Sequence, residues 1–159
     1  MSNAAAGQRI LLVEDNQSDA ELILHALERK GLAASTHVVH DGAEAVDYLL
    51  SASAHAGLDG FQRPALILLD LKMPKVSGIE VLRRIREDPR TRLAPVVALT
   101  SSREQRDLVA CHDLRINSYV VKPVEYEQFC LAIETIVAYW LEVNQPPPPG
   151  PHRAAAPEA

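Results

Sequence analysis

The sequence predicts an α/β fold in which five parallel strands form a doubly wound sheet with helices on both faces. Four short apolar runs lack the polar alternation of half-exposed strands, so each is expected to be buried on both faces. These runs are 10–13, 65–69, 95–99 and 119–121. Helical patterns separate them, and alternation of strand and helix is typical of a parallel sheet with right-handed crossovers.

The remaining elements complete five strand–helix units. A weaker fifth strand is predicted at 35–39. The first helix, 18–29, is predicted to begin with a capping box formed by Ser18 and Glu21, and Gly31 follows its end. The other helices are predicted at 43–50, 78–87, 104–114 and 124–143.

The length of 159 residues fits one domain with flexible ends. We expect the folded domain to span 8–144, with a disordered segment at 1–7 and a disordered tail rich in Pro and Ala at 145–159. The stretch 51–63 is expected to be a long loop. Because only this tail follows the predicted domain, we expect no effector domain in this chain.

Composition argues against several classes of function. The formal net charge is -5 and the basic residues form no runs, so direct binding of nucleic acid is not expected. An apolar run of the roughly 18 residues that a membrane helix needs is missing from the sequence. Cys111 and Cys130 lie far apart and the N-terminus does not read as a signal peptide, which favours a reduced, cytoplasmic protein.

Polar side chains stand where the predicted buried strands end. Glu14 and Asp15 follow the first strand, Asp70 the third, Thr100 the fourth and Lys122 the fifth. Because the carboxyl ends of parallel strands share one edge of the sheet, we expect these side chains to converge. Three crowded carboxylates repel one another, and a bound cation relieves that repulsion; oxygen ligands favour Mg²⁺ over Zn²⁺.

Each of these residues fits a role in phosphoryl transfer. A carboxylate oxygen can attack phosphorus, and a divalent cation can neutralise the charge of the transferred group. A Lys ammonium and a Thr hydroxyl can bind the remaining phosphoryl oxygens. The pattern therefore predicts a phosphoryl-transfer site.

Four motifs in this order resemble the response-regulator receiver family. They are V-E-D at 13–15, D-L-K-M-P at 70–74 with Gly78 following, the pair Thr100 and Ser101, and K-P at 122–123. The resemblance covers about residues 9–141. It implies a flavodoxin-like strand order of 2-1-3-4-5 and a signalling domain that catalyses only its own phosphorylation and dephosphorylation.

The resemblance also implies a role for each site residue. Asp70 is expected to accept the phosphoryl group, and Thr100 and Lys122 to contact it. Glu14, Asp15, Asp70 and the backbone carbonyl of Lys72 are expected to hold Mg²⁺ or Mn²⁺.

Two further features are carried over from the family in the same way. Tyr119 matches a switch aromatic, which turns inward as the Thr100 hydroxyl moves toward the phosphoryl group. The Lys122–Pro123 bond would be cis, and Lys72 and Ser102 occupy the two variable positions that tune dephosphorylation.

Less specific features resemble the small single-domain response regulators of bacterial and cyanobacterial phytochrome histidine kinases. They are the loop at 51–63, R-P-A-L-I-L-L-D-L at 63–71, E-D-P at 87–89, and Y-W-L at 139–141 followed by Pro146. This resemblance implies a sensor histidine kinase as partner, in particular a bacteriophytochrome.

Other functions remain open from the sequence. A chemotaxis-like or phosphorelay receiver would take its phosphoryl group from another kinase. A phosphatase of the haloacid dehalogenase type would need a second Asp where Lys72 stands. A docking module without phosphorylation would not need the full set of polar strand ends.

The last helix has apolar residues beyond one face. A stripe that the sheet can bury is formed by Phe129, Ala132, Ile133, Ile136, Val137 and Trp140. Leu131, Ala138, Tyr139 and Val143 point partly elsewhere. We hypothesise a homodimer through the fourth helix, fifth strand and fifth helix; a tail folding back onto the helix is the alternative.

Overall fold

A five-stranded parallel sheet forms the centre of the computed structural model, which describes residues 10–51 and 63–147. The strands are β1 Ile10–Val13, β2 Thr36–Val39, β3 Leu66–Leu69, β4 Val96–Thr100 and β5 Ser118–Val121. Their order is β2-β1-β3-β4-β5, and every neighbouring pair is parallel. The predicted fold class and strand order are confirmed.

Five α-helices alternate with the strands in the described residues. They are α1 Gln17–Arg29, α2 Gly42–Leu50, α3 Gly78–Glu87, α4 Gln105–Asp113 and α5 Tyr126–Ala138. A short 3₁₀ turn, Ala33–Ser35, precedes β2, and a π-helical turn, Tyr139–Val143, follows α5. The predicted disorder at 1–7 and at 148–159, and the loop at 52–62, lie outside the described residues.

The core has two layers, one on each face of the sheet. Alternate residues of β1 enter opposite layers: Leu11 and Val13 pack with α2, α3 and α4, whereas Ile10 and Leu12 pack with α1 and α5. All four are fully buried. A strand that is apolar on both faces therefore has a helical layer on each side, as the unbroken apolar runs predicted.

The predicted cap of α1 is wrong. Asn16 caps the helix, because its side-chain oxygen accepts a hydrogen bond of 2.9 Å from the Asp19 N–H and its carbonyl accepts one of 2.9 Å from the Ala20 N–H. Ser18 already lies in the first turn. Asn and Ser cap helices about equally well, so sequence alone did not separate the two starts.

The fifth strand and the last helix also differ from prediction. All of β5 is half-buried rather than buried, because it is an edge strand that pairs only with β4 among the described strands. The α-helical part of 124–143 runs only from Tyr126 to Ala138. The chain then widens into a π turn, in which the Asn144 N–H donates to the Tyr139 carbonyl at 2.7 Å.

A buried guanidinium holds together the loops that lead into β4 and β5. Arg86 in α3 is 8 % exposed and donates hydrogen bonds to the carbonyls of Arg92, Ala94, Leu114 and Arg115 and to the Asn117 side chain. Burial holds the pKa of Arg86 below its usual value. Because these bonds fix both strand entries, Arg86 stabilises the end of the sheet opposite the candidate site.

We expect Gly78→Ala to destabilise the protein by more than about 2 kcal/mol, since nothing can relax around the new methyl group. A Cβ at Gly78 would overlap the backbone carbonyl of Asp70 and the Cα of Leu71. Urea unfolding measures the loss. Gly31→Ala is the matched control: Gly31 has a positive φ of 70° but open space around it, so that change should cost only about 1 kcal/mol. Equal losses would show that the close approach at Gly78 is unimportant.

Candidate metal and phosphoryl-transfer site

Three carboxylates meet beyond the ends of β1 and β3. Glu14 and Asp15 follow β1 and Asp70 follows β3, and the Asp70 N–H donates to the Val13 carbonyl at 3.0 Å, which continues the pairing of the two strands. One oxygen from each of the three carboxylates lies within 4.8 Å of the others. The predicted convergence is confirmed for these three residues.

Burial makes two of these charges costly. Glu14 is 1 % and Asp70 is 6 % exposed, whereas Asp15 is exposed. Burial raises the pKa of Glu14 to about 7; the hydrogen bond from Lys122 opposes the shift and the charge of Asp70 adds to it. Burial also raises the pKa of Asp70, against the attraction of Lys122.

The donor set fits a hard divalent cation. Its three members offer only oxygen ligands, which suit Mg²⁺ and Mn²⁺ better than softer metals. A cation among them would offset the burial that raises the pKa of both Glu14 and Asp70, and the repulsion from Asp70 that adds to the shift at Glu14. The residues present therefore fit the metal that the sequence predicted.

Lys122 also lies in this cluster. Its side chain is 8 % exposed, and its Nζ donates to Glu14 Oε2 and to Asp19 Oδ2, both at 2.7 Å. Burial disfavours the ammonium, but the hydrogen bonds to Asp19 and Glu14 outweigh it and raise the pKa of Lys122. Lys122 is therefore held in its charged form against the carboxylates of the site.

The Lys122–Pro123 bond is trans, since the described residues contain no cis peptide bond. The cis expectation is wrong here. A trans X–Pro bond is favoured by about 0.5–1 kcal/mol in the absence of other constraints.

Thr100 and Tyr119 meet at a third residue. Thr100 is fully buried, and its Oγ1 accepts a hydrogen bond of 3.1 Å from the Ser102 N–H. The half-buried Tyr119 packs against the core layer under α2, α3 and α4, and its hydroxyl donates to the Ser102 carbonyl at 3.0 Å. The two predicted switch residues are thus joined through one backbone turn.

The side chain of Lys72 points away from the carboxylate cluster. Its Nζ lies 3.2 Å from Asp107 Oδ2 and 3.4 Å from Glu104 Oε1. The hydrogen bond from Ser102 holds the pKa of Asp107 below its usual value, with the Lys72 contact adding to the effect. Only the backbone carbonyl of Lys72, not its side chain, was predicted as a ligand.

Sequence reasoning missed Asp19 and Asp107. Asp19 lies in the first turn of α1, which begins four residues after β1 ends, so its side chain stays near the strand end and reaches Lys122. That acidic residue in the first turn was an available signal. Asp107 is in the first turn of α4 and is 7 % exposed, which the polar sequence around it gave no reason to expect.

We expect the metal-free protein to lose stability as the pH rises through about 7. The pKa of Glu14 is about 7 in the folded state and 4.5 in the unfolded state, so the folded state binds the proton more tightly. This proton binding stabilises the fold fully below pH 4.5. The stabilisation decreases as the pH rises and is lost once the pH passes about 7. Urea unfolding with a chelator at about pH 5 and about pH 8 should show a drop of about 2 kcal/mol relative to Glu14→Gln. Parallel profiles for the two proteins would contradict this.

The fold and the site together define a class of protein. The family model of the response regulator receiver domain matches residues 10–134 of the sequence. The chain therefore belongs to this family of signalling domains. In the part of the chain that the structure describes, none of the helices has the length and hydropathy that a membrane span requires.

The chain is similar to curated relatives over most of its length. One, called "Probable methanogenesis regulatory protein FilR2", from Methanothrix harundinacea, is 43 % identical over 140 residues, which are 88 % of this chain and 88 % of the relative. The response regulator Rcp1 from Synechocystis is 34 % identical over 84 % of this chain and 88 % of the relative.

Solved structures show the same fold. The phosphorylated cyanobacterial phytochrome response regulator RcpA has a TM-score of 0.80 and 37 % identity, over 89 % of this chain and 99 % of that one. The Mn²⁺-bound form of Rcp1 has a TM-score of 0.75 and 33 % identity, over 87 % and 97 %. The bacteriophytochrome response regulator RtBRR has a TM-score of 0.67 and 48 % identity, over 89 % and 85 %.

Proposed function

We propose that Asp70 accepts a phosphoryl group from the phosphohistidine of a sensor histidine kinase. The observation that carries the proposal is the placement of Glu14, Asp15 and Asp70 within 4.8 Å of one another, with the charged Lys122 against them. A structural cluster of this kind would cost stability, because it buries carboxylates beside one another. In a receiver domain, this cost is explained by the function of the cluster, which is to bind the metal and accept the phosphoryl group.

The transfer uses the groups of the chain in distinct roles. An oxygen of Asp70 forms a bond to phosphorus while the bond from phosphorus to the histidine nitrogen breaks, and the imidazole leaves with the electron pair. Lys122 binds a phosphoryl oxygen after leaving Glu14, and the Thr100 hydroxyl donates to another. A divalent cation held by Glu14, Asp15, Asp70 and the Lys72 carbonyl would supply charge neutralisation.

Phosphorylation would then be read through Thr100 and Tyr119. Both contact Ser102, so movement of the Thr100 hydroxyl changes the turn that carries the Tyr119 hydrogen bond. The domain would catalyse only its own phosphorylation and dephosphorylation. The thiols of Cys111 and Cys130, buried and free in the described part of the chain, fit a reducing cytoplasm as the place of this exchange.

Incubation with acetyl phosphate and Mg²⁺ tests the site chemistry. Intact-protein mass spectrometry should show one acid-labile phosphoryl adduct, and a chelator should prevent it. Steady hydrolysis of unrelated phosphoesters without an adduct would instead favour the hypothesis of a phosphatase of the haloacid dehalogenase type. The residue two positions after Asp70 argues against a phosphatase, because Lys72 stands there in place of the general-acid Asp and its Nζ pairs with Asp107 and Glu104.

A phytochrome histidine kinase is the partner that the relatives favour. RcpA is called a phytochrome response regulator and RtBRR a bacteriophytochrome response regulator, whereas the name of FilR2 points to methanogenesis. Phosphotransfer profiling against several purified kinases separates these cases. The proposal expects a bacteriophytochrome kinase to phosphorylate the chain within seconds and unrelated kinases to do so far more slowly; the reverse ranking would contradict it.

We also propose a homodimer through the face formed by α4, β5 and α5. Leu131 is 54 %, Tyr139 49 % and Val143 64 % exposed on α5 and its π turn, and Leu108 and Val109 are exposed on α4. Such apolar groups usually have a partner when they cluster.

We expect light scattering across concentration to show a dimer, and Leu131→Glu to make it monomeric. Leu93→Glu, which charges an exposed apolar residue before β4, is the matched control. A monomer for the unaltered protein at high micromolar concentration, with and without beryllofluoride, would rule the dimer out.

A further inference from the structure

A buried carboxylate connects the two loops that border the candidate site. Asp107 is 7 % exposed, and its Oδ2 accepts a 2.5 Å hydrogen bond from the Ser102 hydroxyl. The same oxygen lies 3.2 Å from Lys72 Nζ. Lys72 stands two residues after Asp70, and Ser102 two residues after Thr100. One oxygen atom thus joins the loop after β3 to the loop after β4.

Ser102 contacts both residues of the proposed switch. Its N–H donates to Thr100 Oγ1 at 3.1 Å, and its carbonyl accepts from the Tyr119 hydroxyl at 3.0 Å. Tyr119 is half-buried and packed against the core, which is the inward orientation that the family resemblance associates with phosphorylation. Asp107 therefore anchors the turn that holds Tyr119 in this orientation.

A second carboxylate, that of Glu104, also lies beside Lys72. Glu104 is about half exposed, lies 3.4 Å from Lys72 Nζ and also pairs with Arg106. Exposed ion pairs contribute little, whereas removing one partner of a buried hydrogen bond, such as that between Ser102 and Asp107, costs considerably more. Among the described residues, Asp107 is the one that binds both Lys72 and the Ser102 side chain with a single carboxylate oxygen.

We propose that Asp107 is a positioning residue that couples phosphorylation of Asp70 to the Thr100–Tyr119 switch, by tying Lys72 to Ser102 in the conformation with Tyr119 inward. The inference rests on the proposed function and adds a regulatory residue to that site. Coupling is reciprocal: a side chain that stabilises the conformation favoured by phosphorylation also tightens binding of a phosphoryl analogue.

Beryllofluoride titration at saturating Mg²⁺ tests the proposal by calorimetry. We expect Asp107→Ala to weaken beryllofluoride binding about tenfold, within the usual range for coupled sites. Electrostatics alone predicts the opposite, because removing a negative charge favours an anionic ligand. Glu104→Gln is the matched control, because it also removes a negative charge beside Lys72 but keeps the hydrogen bond between Ser102 and Asp107. The affinity of this variant for beryllofluoride should not fall.

Nuclear magnetic resonance supplies a second readout. The backbone amide signal of Tyr119 should shift when beryllofluoride binds, and the shift should be smaller in Asp107→Ala. Asp107→Asn keeps an acceptor for the Ser102 hydroxyl but loses the charge beside Lys72, so we expect an intermediate effect. This variant carries the test if Asp107→Ala does not fold.

The outcomes separate the two proposals. If the unaltered protein fails to bind beryllofluoride, the proposed function is wrong and the coupling falls with it. If the unaltered protein binds and both Asp107 variants bind equally or more tightly, with an undiminished Tyr119 shift, only the coupling is wrong. Weaker binding in the Asp107 variants, with Glu104→Gln unaffected, supports the coupling.

Discussion

Asp70→Asn should abolish phosphorylation by acetyl phosphate or by a kinase. The substitution replaces the nucleophilic carboxylate with an amide of nearly the same shape, so local packing is kept while the attacking oxygen and one charged metal ligand are lost. The adduct of the unaltered protein should be labile to acid and to hydroxylamine, as expected of an acyl phosphate. Mass spectrometry after a fixed incubation measures the difference.

The fold should survive the substitution. Burial raises the pKa of Asp70, so its charge is costly without metal, and we expect Asp70→Asn to stabilise the metal-free protein by about 1 kcal/mol near neutral pH. Asp113→Asn, an exposed change in α4, is the control and should leave phosphorylation intact. Persistent phosphorylation of the Asp70→Asn protein would show that another residue is the acceptor.

The double change Asp15→Asn with Asp70→Asn should weaken Mg²⁺ or Mn²⁺ binding by at least about 100-fold. It removes two of the three carboxylates whose oxygens lie within 4.8 Å of one another. Losses of 10- to 100-fold are usual even for groups that only support a metal ligand, so loss of two ligands should cost more. Titration calorimetry gives the affinities.

A control for net charge is needed, because two negative charges disappear. Glu87→Gln with Asp113→Asn removes the same charge from exposed positions on α3 and α4. Its metal affinity should change little, since surface charges are screened over about 10 Å at moderate salt. Equal affinity in both double variants would mean that the carboxylate cluster is not the metal site.

The strand ends were predictable because they depend on local pattern and on one topological rule. The apolar run 10–13 matches β1 residue for residue, and residues after parallel strands share an edge. Glu14, Asp15 and Asp70 could therefore be placed together without knowledge of any side-chain conformation. Strand order was different: it came from family resemblance, since periodicity does not determine which strands are neighbours.

Contacts between loops were not predictable in the same way. Asp107 binds Ser102 and Lys72, which are 5 and 35 residues away along the chain, and no periodicity links them. The cap of α1 shows a smaller version of the limit: Asn16 and Ser18 are equally good candidates, and the backbone conformation decides between them. The apolar residues of β5 predict a buried strand, but burial also depends on the neighbouring strands, and β5 pairs only with β4 among the described strands.

The central claim is that Asp70 carries the phosphoryl group, and locating the modified residue tests it most directly. Treatment of the freshly phosphorylated protein with borohydride reduces an acyl phosphate to the alcohol, which marks the acceptor permanently for peptide sequencing by mass spectrometry. The account predicts the reduced residue at position 70 and at no other Asp or Glu. A mark at Asp15 or Glu14, or an adduct on a histidine that resists borohydride, would contradict it.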